Sequence, residues 1–105
     1  MTTSILVPVF AALGDETRWG ILVALGEGDA SASALAGRIP VTRQAIAKHL
    51  AVLQEVGLVE SVRVGRELRY RVIGAQLSDT ARRLDRIGAE WDRRLAGIKR
   101  IAEEL

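Results

Sequence analysis

The chain has 105 residues, no cysteine, 49% hydrophobic and 27% charged residues, and a formal net charge of +2. A chain of that length holds one domain with a modest core, folded rather than disordered, and pairing between copies is a natural further source of stability. The lack of thiols excludes disulfides and thiolate metal or redox centres within it.

In chain order, Met1 to Ser4 read as a loose arm. The apolar stretch that follows has no basic leader and runs straight into Asp15-Glu16, so it reads as mature structure rather than a signal peptide. No segment approaches membrane-spanning length, and the cytoplasm is the expected compartment. Pro8 suits the first turn of a short helix over about residues 7–13, burying Val9, Phe10 and Leu13. Gly14 breaks it. Asp15 can cap a second helix to about Leu25, with Ile21, Leu22 and Leu25 facing the core. Trp19 falls toward the edge of that face: core, pairing edge and exposed aromatic are all open, with rim packing the leading reading. Gly26-Glu27-Gly28-Asp29 reads as a turn. It is not a phosphate loop, since no strand precedes it and no Gly-Lys pair follows.

Ser31 to Arg38 predicts a third helix of about two turns whose Leu35 and Ala36 pack on Ile46 and Leu50. The connector Ile39-Pro40-Val41 is long enough only for a sharp corner. The fourth helix starts from Thr42, whose hydroxyl can accept from a free N–H of the first turn, and reaches Val56 without an internal Gly or Pro; Gly57 stops it. At about 100° per residue, Ile46, Leu50 and Leu53 share one narrow face, and Gln44, Lys48 and Glu55 lie opposite. Such a polar face is most often just solvated. Yet Gln can bond adenine bidentately, Lys suits guanine or a phosphate, and Arg43 reaches the same surface. Two helices crossing at a tight turn with that outer face form a helix-turn-helix.

Beyond Gly57 the apolar spacing turns from helical to alternating. Leu58, Val62 and Val64, then Leu68, Tyr70 and Val72, predict a two-stranded hairpin turning at Gly65-Arg66. A hairpin this small needs a neighbour. Its outward Arg63, Arg66, Arg69 and Arg71 can enter a minor groove or clasp phosphate, or merely guard a sheet edge against pairing. The charge is concentrated here: residues 38–72 hold seven basic and three acidic side chains, which leaves the remainder mildly acidic. One surface therefore favours a polyanion. His49, the only histidine, has no partner cluster and suits a brace for the fourth helix or a phosphate contact. No nucleophile, base and orienter set is visible, so no enzyme and no cofactor are expected.

The rest reads as one helix from about Gln76 to Glu104. Leu77, Ala81, Leu84, Gly88, Trp91, Leu95, Ile98, Ala102 and Leu105 form a stripe flanked by Ile87 and Ile101. A helix of about 40 Å overhangs a domain this size, so part of the stripe is expected to face its mate in a second copy. The pairing surface is drawn from residues 5–13 and 76–105: Leu6, Val9 and Phe10, with Leu84, Ile87, Gly88, Trp91, Leu95 and Ile98. Gly88 either allows close helix approach or is a tolerated weak spot.

LGDETRWGILVAL, then LAGRIPVTRQAIAKHLAVLQEVGLVESVRVGRELRYRV, resembles the ArsR/SmtB family of bacterial winged-helix repressors over about residues 10–72. The most specific pieces are Thr42 through Leu50 followed by Leu53 and Gly57-Leu58-Val59, and the wing Gly65-Arg66-Glu67-Leu68-Arg69-Tyr70. The resemblance implies a mainly α winged helix-turn-helix with a two-stranded β-wing, about five helices and a long C-terminal dimerisation helix. It also implies a homodimer on a near-palindromic double-stranded DNA operator, repressing transcription and often released by a metal or another signal. Where family sensors carry cysteines, this chain has Asp29, Ala30, Ser31 and Ala32. Where others carry imidazoles on the last helix, it has Asp79 with Ala81 and Asp92 with Leu95. A carboxylate alone makes a poor transition-metal site, so no regulatory metal is expected.

The expected contact set is Thr42, Arg43, Gln44, Ala45, Lys48 and His49 on the helix and Arg63, Arg66 and Arg69 on the hairpin, within a single domain whose reading unit is residues 30–72. Two other readings use the same fold: a module that docks a protein and never touches DNA, and a repressor released by a small organic or lipid ligand between the long helices. The sequence names no inducer.

Overall fold

A computed structural model describes residues 3–104. Among them the elements follow in the order α1 (Thr3–Leu13), α2 (Glu16–Glu27), β1 (Ala30–Ser31), α3 (Ala32–Ala36), α4 (Arg43–Glu55), β2 (Val59–Val64), β3 (Glu67–Val72) and α5 (Gly74–Glu104). Of the expected N-terminal arm, Thr3 and Ser4 are already helical, and Met1 and Thr2, like Leu105 at the other end, lie outside the described residues. Pro8 therefore sits inside α1 rather than in its first turn, where its missing N–H removes one rung of the helix ladder.

Local chemistry sets most of the boundaries. Asp15 caps α2 by accepting from the Arg18 backbone N–H at 3.0 Å, Ser31 caps α3 through Ala34 at 3.1 Å, and Thr42 caps α4 through Ala45 at 3.1 Å. The turn expected at Gly26 begins two residues later, because Gly26 and Glu27 complete α2; the buried Ile21, Leu22 and Leu25 outweigh the poor helix propensity of a single glycine. α3 is shorter than expected: Ser31 is its cap and Gly37 follows its last residue. α4 ends in a Schellman motif. Gly57 takes φ +80°, its N–H donates to the Gln54 carbonyl at 3.1 Å, and that of Leu58 donates to Leu53 at 2.9 Å. Leu53 and Leu58, the apolar pair that accompanies this stop, are both fully buried.

The hairpin gains the neighbour it needs from an unforeseen third strand. Ala30 pairs with Tyr70 and Ser31 with Arg69, so the antiparallel sheet has the order β1-β3-β2. Between β2 and β3 the two-residue loop Gly65-Arg66 has positive φ only at Gly65, +62°, the type II′ pattern. Register corrects one feature of the expected ribbon. Val59, Ser61 and Arg63 stand opposite Val72, Tyr70 and Leu68, whereas Glu60, Val62 and Val64 stand opposite Arg71, Arg69 and Glu67. Directly paired residues share a face, so the arginines divide between two faces and Val62 and Val64 do not join Leu68 and Tyr70. Leu58, expected to begin this alternation, precedes β2.

One core holds these elements together: Val9 and Ala12 of α1, Ile21, Leu22, Ala24 and Leu25 of α2, Leu35 of α3, Ile46, Leu50 and Leu53 of α4, then Leu58 and Val59. Phe10, expected inside, is 37% exposed, and Trp19 is 53% exposed beside Val23 on the outer side of α2 rather than packed at a rim. α5 begins two residues before its expected start and leaves the body after its first turns, where Leu77 packs on the core and Thr80 is buried. The radius of gyration is 18.5 Å, against about 13 Å for a compact domain of this length.

Two outcomes follow from this packing. Leu50→Ala should destabilise by about 2–5 kcal/mol, read from urea unfolding at fixed protein concentration. Asp15 titrates below the ordinary carboxylate range, chiefly because the Arg18 backbone N–H binds its ionised form. Its contribution is thus present above the unfolded value, about pH 4, and is lost as the pH falls through the lower folded value. Asp15→Ala should melt below wild type at neutral pH, and the gap should narrow as melts are carried below about pH 4.

Candidate functional site

The inward stripe of α4 dictates what its other side presents. With Ile46, Leu50 and Leu53 at zero exposure, Arg43, Gln44, Ala47 and Lys48 stand in the open. The hairpin rises beside them, and an open groove of about 670 Å³ runs between: Arg43, Gln44 and Ala47 form one wall, Arg63, Arg66, Leu68 and Tyr70 the other together with one acid, Glu67, and Ser31, Ala32 and Ser33 the end. Gln44 brings a donor and an acceptor, the arginines bring planar cationic donors, and Ala47 leaves room between them. This is a surface fit for a polyanion with readable polar edges.

Not every expected residue faces the groove. Thr42 spends its hydroxyl on the α4 cap, and Ala45 is half-buried. Lys48 is exposed just outside the groove lining. His49 points instead toward α2, its Nδ1 lying 3.2 Å from Arg18 Nη1 and 4.0 Å from Asp15 Oδ1. Arg63 shares the groove face with Leu68 and Tyr70, and Arg66 stands at the tip. Arg69 lies on the other face, 3.4 Å from Glu67, and Arg71 donates to Glu60 at 2.7 Å. The wing is therefore partly neutralised by its own acids, which the sequence reading did not foresee. Ser31, Ala32 and Ser33, Ala47, and Glu67, Leu68 and Tyr70 line the groove without having been in the expected contact set. A signal existed for Ala47, which sits four residues after Arg43 and three after Gln44, on the same strip of helix.

Charge pairing sorts the basic residues. Arg38 is bound to Glu27 at 3.3 Å, and Arg69 and Arg71 have the partners just named. Among the described residues Arg43, Lys48, Arg63 and Arg66 make no ion pair. Three of these four, Arg43, Arg63 and Arg66, line the groove, and Lys48 stands just outside it. No group of three or more potential metal ligands comes together among the described residues, and no described helix is long and apolar enough to cross a membrane.

A second exposed surface is apolar. Leu84, Ile87, Trp91, Leu95, Ile98 and Ile101 of α5 are each between 47% and 64% exposed, and Val7 and Phe10 of α1 are exposed as well. Leu6 is half-buried. Val9 leaves the expected pairing set, because it is 1% exposed within this chain's own core. A Cβ added at Gly88 would meet nothing within 4 Å.

A family model described as a helix-turn-helix domain matches residues 13–62. The HTH-type transcriptional regulator CmtR of Mycobacterium tuberculosis is 37% identical over 78 residues, which make up 74% of this chain and 66% of CmtR, a little under two thirds of its length. Among solved structures, an ArsR-like transcriptional regulator from Rhodococcus sp. RHA1 superimposes with a TM-score of 0.87 at 69% identity, covering 96% of this chain and 95% of that one. A homodimeric winged helix-turn-helix DNA-binding domain from Mycobacterium bovis, described as a possible ArsR-family regulator, gives a TM-score of 0.68 at 27% identity over 87% of this chain and 82% of its own.

Proposed function

The chain belongs to the ArsR-like family of helix-turn-helix transcriptional regulators, and from that footing we propose that it acts as a homodimeric repressor on a near-palindromic operator. The whole chain works as one unit in which residues 30–72 read and residues 5–13 and 76–105 pair. The N-terminal half of α4 lies in the major groove, with Gln44 reading a base and Arg43 and Lys48 reading or fixing register. Arg63 and Arg66 hold the flanking backbone or minor groove. Arg69, turned to the far face and bound to Glu67, contributes through the wing's shape, and His49 by bracing α4. The protein operates in the cytoplasm without enzymatic activity or a regulatory metal.

The observation that carries this reading is the gathering of Arg43, Arg63 and Arg66 along one groove, with Lys48 exposed on α4 just outside it, all four free of ion pairs among the described residues. A surface that docked an ordinary protein would gain little from four uncompensated cations, whereas a duplex offers a phosphate every few ångströms. Pairing is supported by the apolar length of α5, whose 31 residues span about 46 Å with only Thr80 fully buried. Burying such a face against its mate removes it from water and places two α4 helices on one side of a dimer.

A mobility shift with salt varied tests the DNA contact. Each phosphate neutralised contributes about −0.9 to the logarithmic salt slope. Lys48→Ala and Arg63→Ala should each weaken operator binding and reduce the slope by about 1, whereas Arg71→Ala should change it little. Unchanged affinity for Lys48→Ala at physiological salt removes that residue from the interface. Trp91→Glu tests the pairing: sedimentation should shift toward the monomer, with operator affinity falling more than about tenfold because two half-sites no longer bind together. A variant that stays dimeric takes α5 out of the interface.

A further inference from the structure

We propose that Arg18 is a positioning residue for DNA recognition: a guanidinium joint that locks α4 to the end of α1 through His49 and so fixes the separation at which two copies of α4 are offered. The inference rests on the paired DNA-binding reading above and adds to it the route by which pairing reaches the reading helix.

Arg18 touches three elements from one position. It belongs to α2, and its Nε donates to the carbonyl of Ala12 at 2.8 Å. Its Nη2 reaches the carbonyl of Ala11 at 3.5 Å, and its Nη1 lies 3.2 Å from His49 Nδ1 on α4. The last carbonyls of a helix have no N–H of their own helix to bind and carry its partial negative charge. Here Gly14 takes those of Phe10 and Ala11, and Arg18 takes that of Ala12. A guanidinium is always protonated and holds its donors in a rigid plane, so tying it at one edge fixes the direction of the other. Arginine can only donate, so His49 Nδ1 accepts and the ring proton sits on Nε2.

His49 follows Lys48 directly and lies a little over one turn beyond Gln44. Anchoring it therefore sets both the tilt of α4 and its rotation about its own axis. His49 stands at the middle of α4, about 7.5 Å along the axis from Gln44, so a slack of about 10° moves Gln44 by more than about 1 Å, roughly a third of a base-pair rise. α1 carries the exposed Val7 and Phe10 and belongs to the proposed pairing surface. Once pairing fixes α1, the only side-chain hydrogen bonds running from its end to α4 among the described residues pass through this guanidinium. Nothing in the joint touches the groove. Its effect is on geometry, not on local affinity.

The test uses full-length protein and two duplexes: an operator obtained by selection from genomic DNA, and the same operator with its half-site centres moved apart by about 2 bp from the preferred spacing. Wild type should prefer the correct spacing by at least about tenfold. Arg18→Met keeps the stem and loses the fork; His49→Leu loses the acceptor. Each should reduce that preference to less than about threefold while dimerisation, salt slope and affinity for random duplex stay as in wild type. Combined, they should do no more to the spacing preference than Arg18→Met alone, since both break the same link between the end of α1 and α4. His49→Asn should restore the preference, because the Asn Oδ1 stands close to where Nδ1 stood. If Arg18→Met fails to fold, the His49→Leu and His49→Asn pair decides alone. Folded, dimeric variants that keep the wild-type spacing preference overturn the joint, as does a His49→Asn no better than His49→Leu. Wild-type protein that selects no operator overturns the DNA-binding reading itself, and this inference with it.

Discussion

Ile46, Leu50 and Leu53, one stripe of a single helix at zero exposure, are the constraint on which the molecule turns. They bring α1, α2 and α3 onto α4 and, through the Schellman stop, place Leu58 and the hairpin at its end. An α-helix that commits one face so completely thereby selects which residues its opposite face shows, while contacts such as that of His49 with Arg18 refine its angle. The positions of Arg43, Gln44 and Lys48 are thus consequences of core packing, and the groove beside them is the gap left when a hairpin is tied to the same core through Val59 and Ile73.

Elements whose identity depends on local chemistry were legible. The caps at Asp15 and Thr42, the stop at Gly57 and the turn at Gly65 each follow from what a side chain or its absence permits, whereas Ser31, read as helical, caps α3 instead. The three-residue stripe of α4 follows from period alone. What escaped was non-local. β1 is two residues long, Ala30-Ser31, and no alternation can announce a strand of that length; it exists because β3 has an open edge. The facing of the hairpin arginines also escaped, since Leu58 shares the parity of Val62 and Val64 yet precedes the strand, and register across the turn rather than apolar spacing decides which residues share a face. Phe10, expected inside, and Trp19, placed by its helical angle toward the rim with an exposed position left open, are both exposed within this chain.

The same limit explains which site residues could be found. Gln44, Arg43 and Lys48 lie on a helix, where spacing predicts direction, so they could be placed. His49 lies on that helix too, but its partners sit at positions 15 and 18, and only the fold brings them together. Arg69 and Arg71 looked equivalent to Arg63 in composition. Their separation required knowing that Glu60 and Glu67 stand across or beside them. Counting charge over a segment finds the sign of its partner; pairing between charges finds the surface.

The hairpin acids bear on function through what they remove. Had Arg69 and Arg71 been free, the wing would present cations on both faces, and a duplex could be held from either side with little difference in energy. Glu60 offsets Arg71 and Glu67, at the edge of the groove, offsets Arg69, each at the modest strength of an exposed ion pair, leaving Arg63 and Arg66 as the unpaired cations of the wing. Since exposed pairs add little stability, their effect falls mainly on orientation: a polyanion approaching this subunit meets the α4 side first. Two such subunits joined along α5 would share that bias, and encounter on the correct face then precedes any reading of bases.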